Sequence, residues 1–391
     1  MVSNVKLLGE VNMKKKKILI FIDWFIPAYK AGGPIQSVSN MVTHLKSEFD
    51  FWIYTSNSDL NEPLSLPSKS LNKWIKKDDF NIMYTDASQQ NVKFLKRLFH
   101  ENCFDAVYIN SLFSLKFSIQ PLIVAKQHNS KVILAPRGML GAGALSIKPL
   151  KKKLFLKVFK IFGGHKNIIW HATDVSEKVE IVSHFGNETS VMVAPNLTKK
   201  VIGIRPNKNK QVDSLRLFFL SRISFKKNLL TAIKALSFLQ KDVNIEFSII
   251  GPIEETEYWK QCQSEFKSLP NNVKASYLGA TPNHELSSIL NNQHVMILPT
   301  QHENFGHVIM ESWQAGCPVI ISKNTPWKDL ESKHLGFDLD NNNFESYVEA
   351  VHHFAKMNQL EFDKWSKASY DFGKAFSENK VIINKTKQIF F

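Results

Sequence analysis

Residues 294–322 read HVMILPTQHENFGHVIMESWQAGCPVIIS. The run 294–299 has the apolar character of a short buried strand and stops at Pro299, and 318–322 is a second run of the same kind. Between them a polar loop carrying Glu303 leads into a segment of helical period. That segment starts near Phe305 and stops at Gly316, where glycine takes the left-handed closing position. Strand, helix and strand in this order make a parallel crossover unit. Ligands of open α/β sheets bind beyond the carboxyl ends of the strands, so the loop and the helix N-terminus face a crevice. Exposed N–H groups around Gly306, His307 and Val308, with the positive end of the helix dipole, form a site for a phosphate, and Gly306 allows close approach. Glu311 lies four residues after His307, on the same face and one turn deeper. Glu303 and Glu311 can accept hydrogen bonds from sugar hydroxyls beside a bound phosphate. An ordinary βα unit with solvated carboxylates has the same local pattern, so the reading depends on what else converges there.

The same alternation continues outward in both directions. Strand candidates are 17–22, 51–54, 105–109, 131–135 and 191–194 in the first half. In the second half they are 215–220, 244–250 and 273–278, besides the two already quoted. The pattern dissolves around 197–213 into a lysine-rich, turn-rich tract that suits an interdomain linker. The fold class read from this is α/β, with two doubly wound domains facing a cleft. The boundaries are 14–200, 213–360 and 361–391; the family resemblance given below implies that the first is an acceptor domain, the second a donor domain and the third a C-terminal helix that crosses back to the first.

A second constellation follows the first strand of the second domain: Ser221-Arg222-Ile223-Ser224-Phe225-Lys226-Lys227-Asn228. Arg222 can fork onto diphosphate oxygens and Lys227 adds a mobile point charge. Two cations flanking a helix start are common on surfaces; their weight comes from pointing into the same cleft as Gly306. In the first domain, Gly32-Gly33-Pro34 follows the first strand, with proline at the first helical position. Consecutive glycines can form a backbone nest for phosphates or a sugar, or simply a tight turn. Arg137, on the loop after 131–135, is a cleft cation by position, and a catalytic or phosphate role is a hypothesis.

The 391 residues carry a formal net charge of +15. Residues 1–200 hold 28 Lys/Arg against 15 Asp/Glu, leaving 22 against 20 for the rest, and no acidic residue lies between Asp105 and Asp174. One domain is built to face negative charge. Three separated cysteines exclude a disulfide scaffold and a zinc module. No apolar run is long enough to cross a bilayer, 1–12 lacks the apolar core of a signal peptide, and Met13 is a candidate start. The expectation from these features is a cytoplasmic chain. The segment 150–162 puts Leu150, Leu154, Val158 and Ile161 on one stripe, with Phe155, Phe159 and Phe162 beside it and Lys153, Lys157 and Lys160 on the remaining face. The stripe is read as packing on the sheet, and the excess lysine charge as attraction to the inner face of an anionic plasma membrane. Asp338-Leu339-Asp340 lies outside the motif-rich loops and is not assigned a metal. His171, His302 and His307 lack metal spacing, and His352-His353 belong to a surface helix.

Together these residues resemble the retaining GT-B glycosyltransferases of family 4, the group 1 glycosyltransferases. The family's Gly-Arg-Leu-x3-Lys-Gly stands here as 221–228, and its Glu-x7-Glu as Glu303 to Glu311 with Asn304-Phe305-Gly306 and Gly316-Cys317-Pro318-Val319 around it. Ala135-Pro136-Arg137-Gly138-Met139-Leu140, Ala172-Thr173-Asp174 with Glu177, Ala194-Pro195-Asn196 and Thr325-Pro326-Trp327 are further family-like fragments. The resemblance implies that Arg222 and Lys227 hold the donor diphosphate, that Glu311 holds the nucleotide ribose and that Glu303 contacts the donor sugar. The donor-binding set is then Gly32, Gly33, Arg222, Lys227, Asn304, Phe305, Gly306, His307, Val308 and Glu311. The catalytic set is Glu303, Arg222, Lys227 and Arg137. Ser221 and Asn228 stand where glycines are usual, and Asp174 where Ser is usual before Glu.

The implied reaction is transfer of a sugar from a nucleotide-sugar to an acceptor hydroxyl with retention, with no metal and no other cofactor. The basic domain points to an anionic, lipid-linked glycan acceptor of bacterial surface-polysaccharide assembly and to no nucleic acid. A GT-B epimerase or phosphorylase would share the cleft but turn over sugar nucleotide or glycan alone. A nucleic-acid-binding protein would show a salt-dependent gel shift, though no binding module is present. A silent scaffold would be indifferent to Glu303→Ala.

Overall fold

The computed structural model describes residues 15–391 apart from Asn61, Ser65 and Ile147. The opening segment 1–12 and Met13 lie outside the described residues. The first domain is built on an eight-stranded sheet. Its order is Val191–Val193, Ile169–Ala172, Lys131–Ala135, Ala106–Asn110, Lys16–Phe21, Phe49–Ser56, Asn81–Thr85 and Ile75–Lys76, parallel except at the last pair. The second domain has six parallel strands: Val273–Gly279, Asn244–Ile250, Ser214–Leu220, Val295–Leu298, Val319–Ser322 and Gly336–Leu339. In chain order this sheet runs 3-2-1-4-5-6, so the reversal falls between Ser214–Leu220 and Val295–Leu298. That is the switch point where two neighbouring loops part and leave a crevice. The molecule is two Rossmann-like α/β domains, the GT-B-like arrangement.

The strands form where both faces are covered. In the first strand Leu19 and Phe21 enter the core on one face, and Ile18 and Ile20 the core on the other. Such strands read as unbroken apolar runs, which made 131–135 legible to the residue; 244–250, NIEFSII, alternates buried and exposed positions and was placed to the residue as well. Four strands of these sheets were missed, the two-residue edge strand Ile75–Lys76 among them. Asn81–Thr85 sits between Asp78-Asp79 and Asp86, Ile169–Ala172 is four residues long, and Gly336–Leu339 carries Asp338, which accepts the Leu330 N–H at 3.0 Å.

The final stretch is two helices. Gln359–Ser377 starts with a capping box between Asn358 and Glu361 and sends Phe362 and Trp365 into the second domain's core. Lys380–Gln388 then lies on the first domain, where Lys387 pairs with Glu48 and Phe390 packs on Phe49 at 5.2 Å between ring centres. In the connecting tract Lys208 and Lys210 are buried. Lys208 Nζ donates to the carbonyls of Leu290 and Gln293, and Lys210 Nζ to those of Ala355 and Met357.

One expectation is overturned. Helix Pro149–Ile161 does not pack its Leu150, Leu154, Val158 and Ile161 stripe on the sheet. The face that packs carries Phe155, Leu156 and Phe159, and the aliphatic stripe faces solvent. Aromatic rings supply more contact area at the same helical period, and Phe159 meets Trp170 and Phe185 edge-on.

Candidate active site

The loops that leave the carboxyl ends of the two sheets enclose a cavity of about 410 Å³. Gly32, Gly33, Arg137, Arg222, Lys227, Glu303, Asn304, Phe305, Gly306, His307, Val308 and Glu311 all line it. The structure therefore brings together every residue singled out for catalysis or donor binding.

The second-domain wall is two loops stitched to each other. Gln301 N–H donates to the Lys226 carbonyl at 2.8 Å, and Asn228 Nδ2 to the Pro299 carbonyl at 2.9 Å. Asn228 sits at φ 58°, ψ 41°, the left-handed region that explains a glycine preference there. Asparagine tolerates this conformation better than most residues, and its side chain also receives the Thr231 hydroxyl. The close backbone approach occurs at Gly251, where a Cβ would lie 1.9 Å from the Ser221 carbonyl oxygen. Serine at 221 therefore costs this wall nothing in backbone freedom.

Lys227 Nζ donates to Glu303 inside the wall. Burial alone would raise the Glu303 carboxyl, but Lys227, with Lys226 and Arg222 nearby, outweighs it and holds the group below the usual range. Arg222 pairs with Glu254, a residue on the loop after Asn244–Ile250 that sequence reasoning missed. Helix His307–Gln314 begins at Gly306, whose φ of 78° and crowding by Ile309 and Glu303 leave room for no side chain. The helix ends before Gly316 at φ 69°. Its first N–H groups face the cavity, one turn above Glu311. Glu311 is half-buried, and desolvation pushes its carboxyl up to about 7.

The first-domain wall is anchored differently. Arg137 takes the left-handed φ of 55° and spends its guanidinium on neutral oxygens: Asn110 Oδ1 and Tyr108 Oη at 2.8 Å, and Asn196 Oδ1. Tyr108 is in turn bonded to the buried His171 at 2.7 Å, and His171 to the Ala194 carbonyl. Glu177 pins the next residue: its carboxylate accepts the N–H of Gly138 at 2.6 Å and the N–H and hydroxyl of Thr173. Asp174 caps the helix Val175–Phe185 by accepting the Glu177 N–H, the service a serine would give at that position.

Two contacts join the walls. His307 Nε2 meets Ser37 Oγ at 2.9 Å, and burial, aided by Arg137, keeps that imidazole neutral, with its pKa down to about 3. Asn304 Nδ2 donates to Thr173 Oγ1 at 3.0 Å and lies against Gly138, whose φ of 72° and missing Cβ make room for it. Tyr108, His171, Asn110, Ser37 and Glu254 had no local signature in the sequence, because each acts on a residue far away in the chain. Asp338 and Asp340 lie outside the cavity lining, and among the described residues no cluster of three His, Cys, Asp or Glu side chains is placed to hold a metal.

Residues 202–372 match the family model for glycosyl transferases group 1. A D-inositol 3-phosphate glycosyltransferase of Paenarthrobacter aurescens is 27% identical over 169 residues, 39% of this chain and 40% of that protein's length. The aligned stretch is thus under half of either protein. A sucrose-phosphate synthase from Thermosynechococcus elongatus superposes with a TM-score of 0.72 at 14% identity, over 96% of this chain and 98% of its own. Anabaena HepE, solved in complex with UDP and glucose, superposes at 0.65 and 14% identity with the same coverage. The chain thus has the GT-B-like fold over nearly its whole length, and its residues 202–372, under half of it, are similar to the group 1 glycosyltransferases.

Proposed function

We propose that this chain is a nucleotide-sugar-dependent glycosyltransferase that acts with retention of configuration. The observation that carries the reading is the convergence of Arg222, Lys227, the N-terminus of His307–Gln314, Glu303 and Glu311 on one cavity between two domains. The structural neighbour HepE holds UDP and glucose, which supports a nucleotide-sugar as donor. Arg222, Lys227 and the helix N–H groups stabilise the departing diphosphate, a fixed array of positive charge where negative charge develops. Glu311 takes the ribose hydroxyls, and Glu303 a hydroxyl of the donor sugar. The acceptor hydroxyl attacks from the face the diphosphate leaves, and its proton passes to the leaving phosphate oxygen. The new glycosidic bond replaces the sugar–phosphate bond without a protein nucleophile. Arg137 points into the cavity from the acceptor side. The acceptor is anionic, because the half of the chain that faces it carries nearly all of the net charge. An anionic lipid-linked glycan of surface-polysaccharide assembly, at the inner face of the plasma membrane, has that chemistry.

The test is transfer from a panel of labelled sugar nucleotides to a membrane extract, in the presence of EDTA, with the anomeric configuration of the product read by NMR. Labelled glycan of retained configuration supports the reading. Free isomerised sugar nucleotide, an inverted product or abolition by EDTA would contradict it.

A further inference from the structure

Helix Pro149–Ile161 has an apolar face that none of the described residues covers. Phe159 is buried, and with a rotation of about 100° per residue Leu150, Leu154, Val158 and Ile161 fall roughly 140° round the helix from it. Leu150 is 82% exposed, Leu154 64% and Ile161 69%, and Phe162 just beyond the helix is 83% exposed. Single exposed leucines are ordinary, but a continuous stripe of them marks a contact surface. Lys151 flanks the stripe on one side and Lys153, Lys157 and Lys160 on the other, all exposed. Among the described residues none of the four meets a carboxylate within ion-pair distance. Lys160 Nζ reaches the His184 carbonyl at 3.4 Å, and Lys152, on the buried side, is spent on the Ala144 carbonyl and the Phe113 ring.

We propose that this face lies flat on the surface of an anionic lipid bilayer, with the aliphatic stripe in the headgroup boundary and the flanking lysines on the anionic headgroups. The helix spans about 20 Å, and a short helix with an apolar stripe between lysine rows has the form of an interfacial helix. Charge selects this occupant. The tract 106–173 contains no Asp or Glu, so a second copy docked through the same patch would set lysines against lysines across its twofold axis. A bilayer of anionic lipids pairs with every lysine at once. The helix also sits at a useful place, because the connection that leads to it from strand Lys131–Ala135, through the short helix Ala142–Leu145, carries Arg137 on the first-domain wall of the cavity. Docking there brings that wall to the membrane, which narrows the proposed acceptor to one carried by the bilayer; this last step rests on the function proposed above.

The experiment is co-sedimentation of the full chain with vesicles of phosphatidylcholine, alone or mixed with phosphatidylglycerol. It compares wild type, the charge variant Lys153→Gln/Lys157→Gln/Lys160→Gln and the stripe variant Leu150→Ser/Leu154→Ser/Ile161→Ser. We expect wild type to pellet with the anionic vesicles and to be released by salt. The charge variant should bind about a hundredfold more weakly, since each basic residue near the surface adds about 1 kcal/mol. The stripe variant should lose the residual, salt-resistant binding. All substituted positions are exposed, and an unchanged nucleotide-induced thermal shift checks that the fold and cavity are intact. Wild type that stays in the supernatant, variants that pellet like wild type, or a wild-type dimer that the stripe variant dissolves would each overturn the proposal. Vesicle binding without any nucleotide shift would uphold the docking face and overturn the function; a nucleotide shift without vesicle binding would do the reverse.

Discussion

The two walls of the cavity hold their arginines in opposite ways. On the second-domain wall Arg222 is paired with Glu254 and its neighbour Lys227 with Glu303. On the first-domain wall Arg137 is held by Asn110, Asn196 and Tyr108, which orient the guanidinium without neutralising it. The charge balance repeats the contrast, with +13 in residues 1–200 and +2 in the remainder. A paired cation is inexpensive to keep at the edge of a low-dielectric cleft and is released when a ligand oxyanion competes for it. A cation held by neutral dipoles keeps its whole field. On the function proposed above, the second wall suits a diphosphate that arrives and departs, and the first an acceptor that is anionic throughout.

The harshest way to break this comparison is Lys227→Ala. It removes a donor to the leaving diphosphate and strands Glu303 without its cation, so transfer should fall by about 10² to 10³ at saturating donor. Steady-state kinetics check it, and a loss below tenfold would mean that Lys227 only balances Glu303. The next effect concerns Glu311. Its folded pKa of about 7 is raised, so the folded state holds a proton that the unfolded chain has released, and unliganded stability falls as pH rises through that window. Ribose hydroxyls prefer the ionised carboxylate, so binding draws the proton off. Nucleotide affinity should therefore rise about tenfold between roughly pH 6 and 8, and Glu311→Gln should be weak and flat over the same range. Calorimetry at both pH values decides it; a flat wild-type profile would remove Glu311 from the ribose site. The smallest effect sharpens the contrast. Glu254→Gln frees Arg222 from a half-exposed pair, which should tighten nucleotide binding by at most about fivefold, the scale of such pairs. Weaker binding would show that Glu254 orients Arg222 rather than competing for it.

The second-domain wall was legible in the sequence because its chemistry is local. Arg222 and Lys227 share one loop, and Glu303 and Glu311 flank one helix start. The first-domain wall was legible only at Gly32, Gly33 and Arg137, since what fixes Arg137 comes from Tyr108, Asn110 and Asn196 on three other segments. Ser37 and Glu254 were invisible for the same reason: a single serine or glutamate carries no periodicity. Strands buried on both faces declared themselves as apolar runs, whereas Asn81–Thr85 and Gly336–Leu339 were hidden by flanking or internal aspartates. Helix Pro149–Ile161 shows a different limit. Its period revealed two apolar faces but not which would be covered, and that choice followed from the partners, Trp170 and Phe185, that the rest of the domain offers to Phe159.

The central claim, that the second-domain wall holds a nucleoside diphosphate, is tested most directly by a thermal-shift panel of UDP, GDP, ADP, CMP and TDP on wild type and Arg222→Ala. A nucleotide at about 100 times its Kd adds roughly 2.7 kcal/mol of stability, enough to raise Tm by a few degrees. The account predicts a selective shift with one base that Arg222→Ala abolishes. A shift of equal size in Arg222→Ala, or none with any nucleotide, would contradict it.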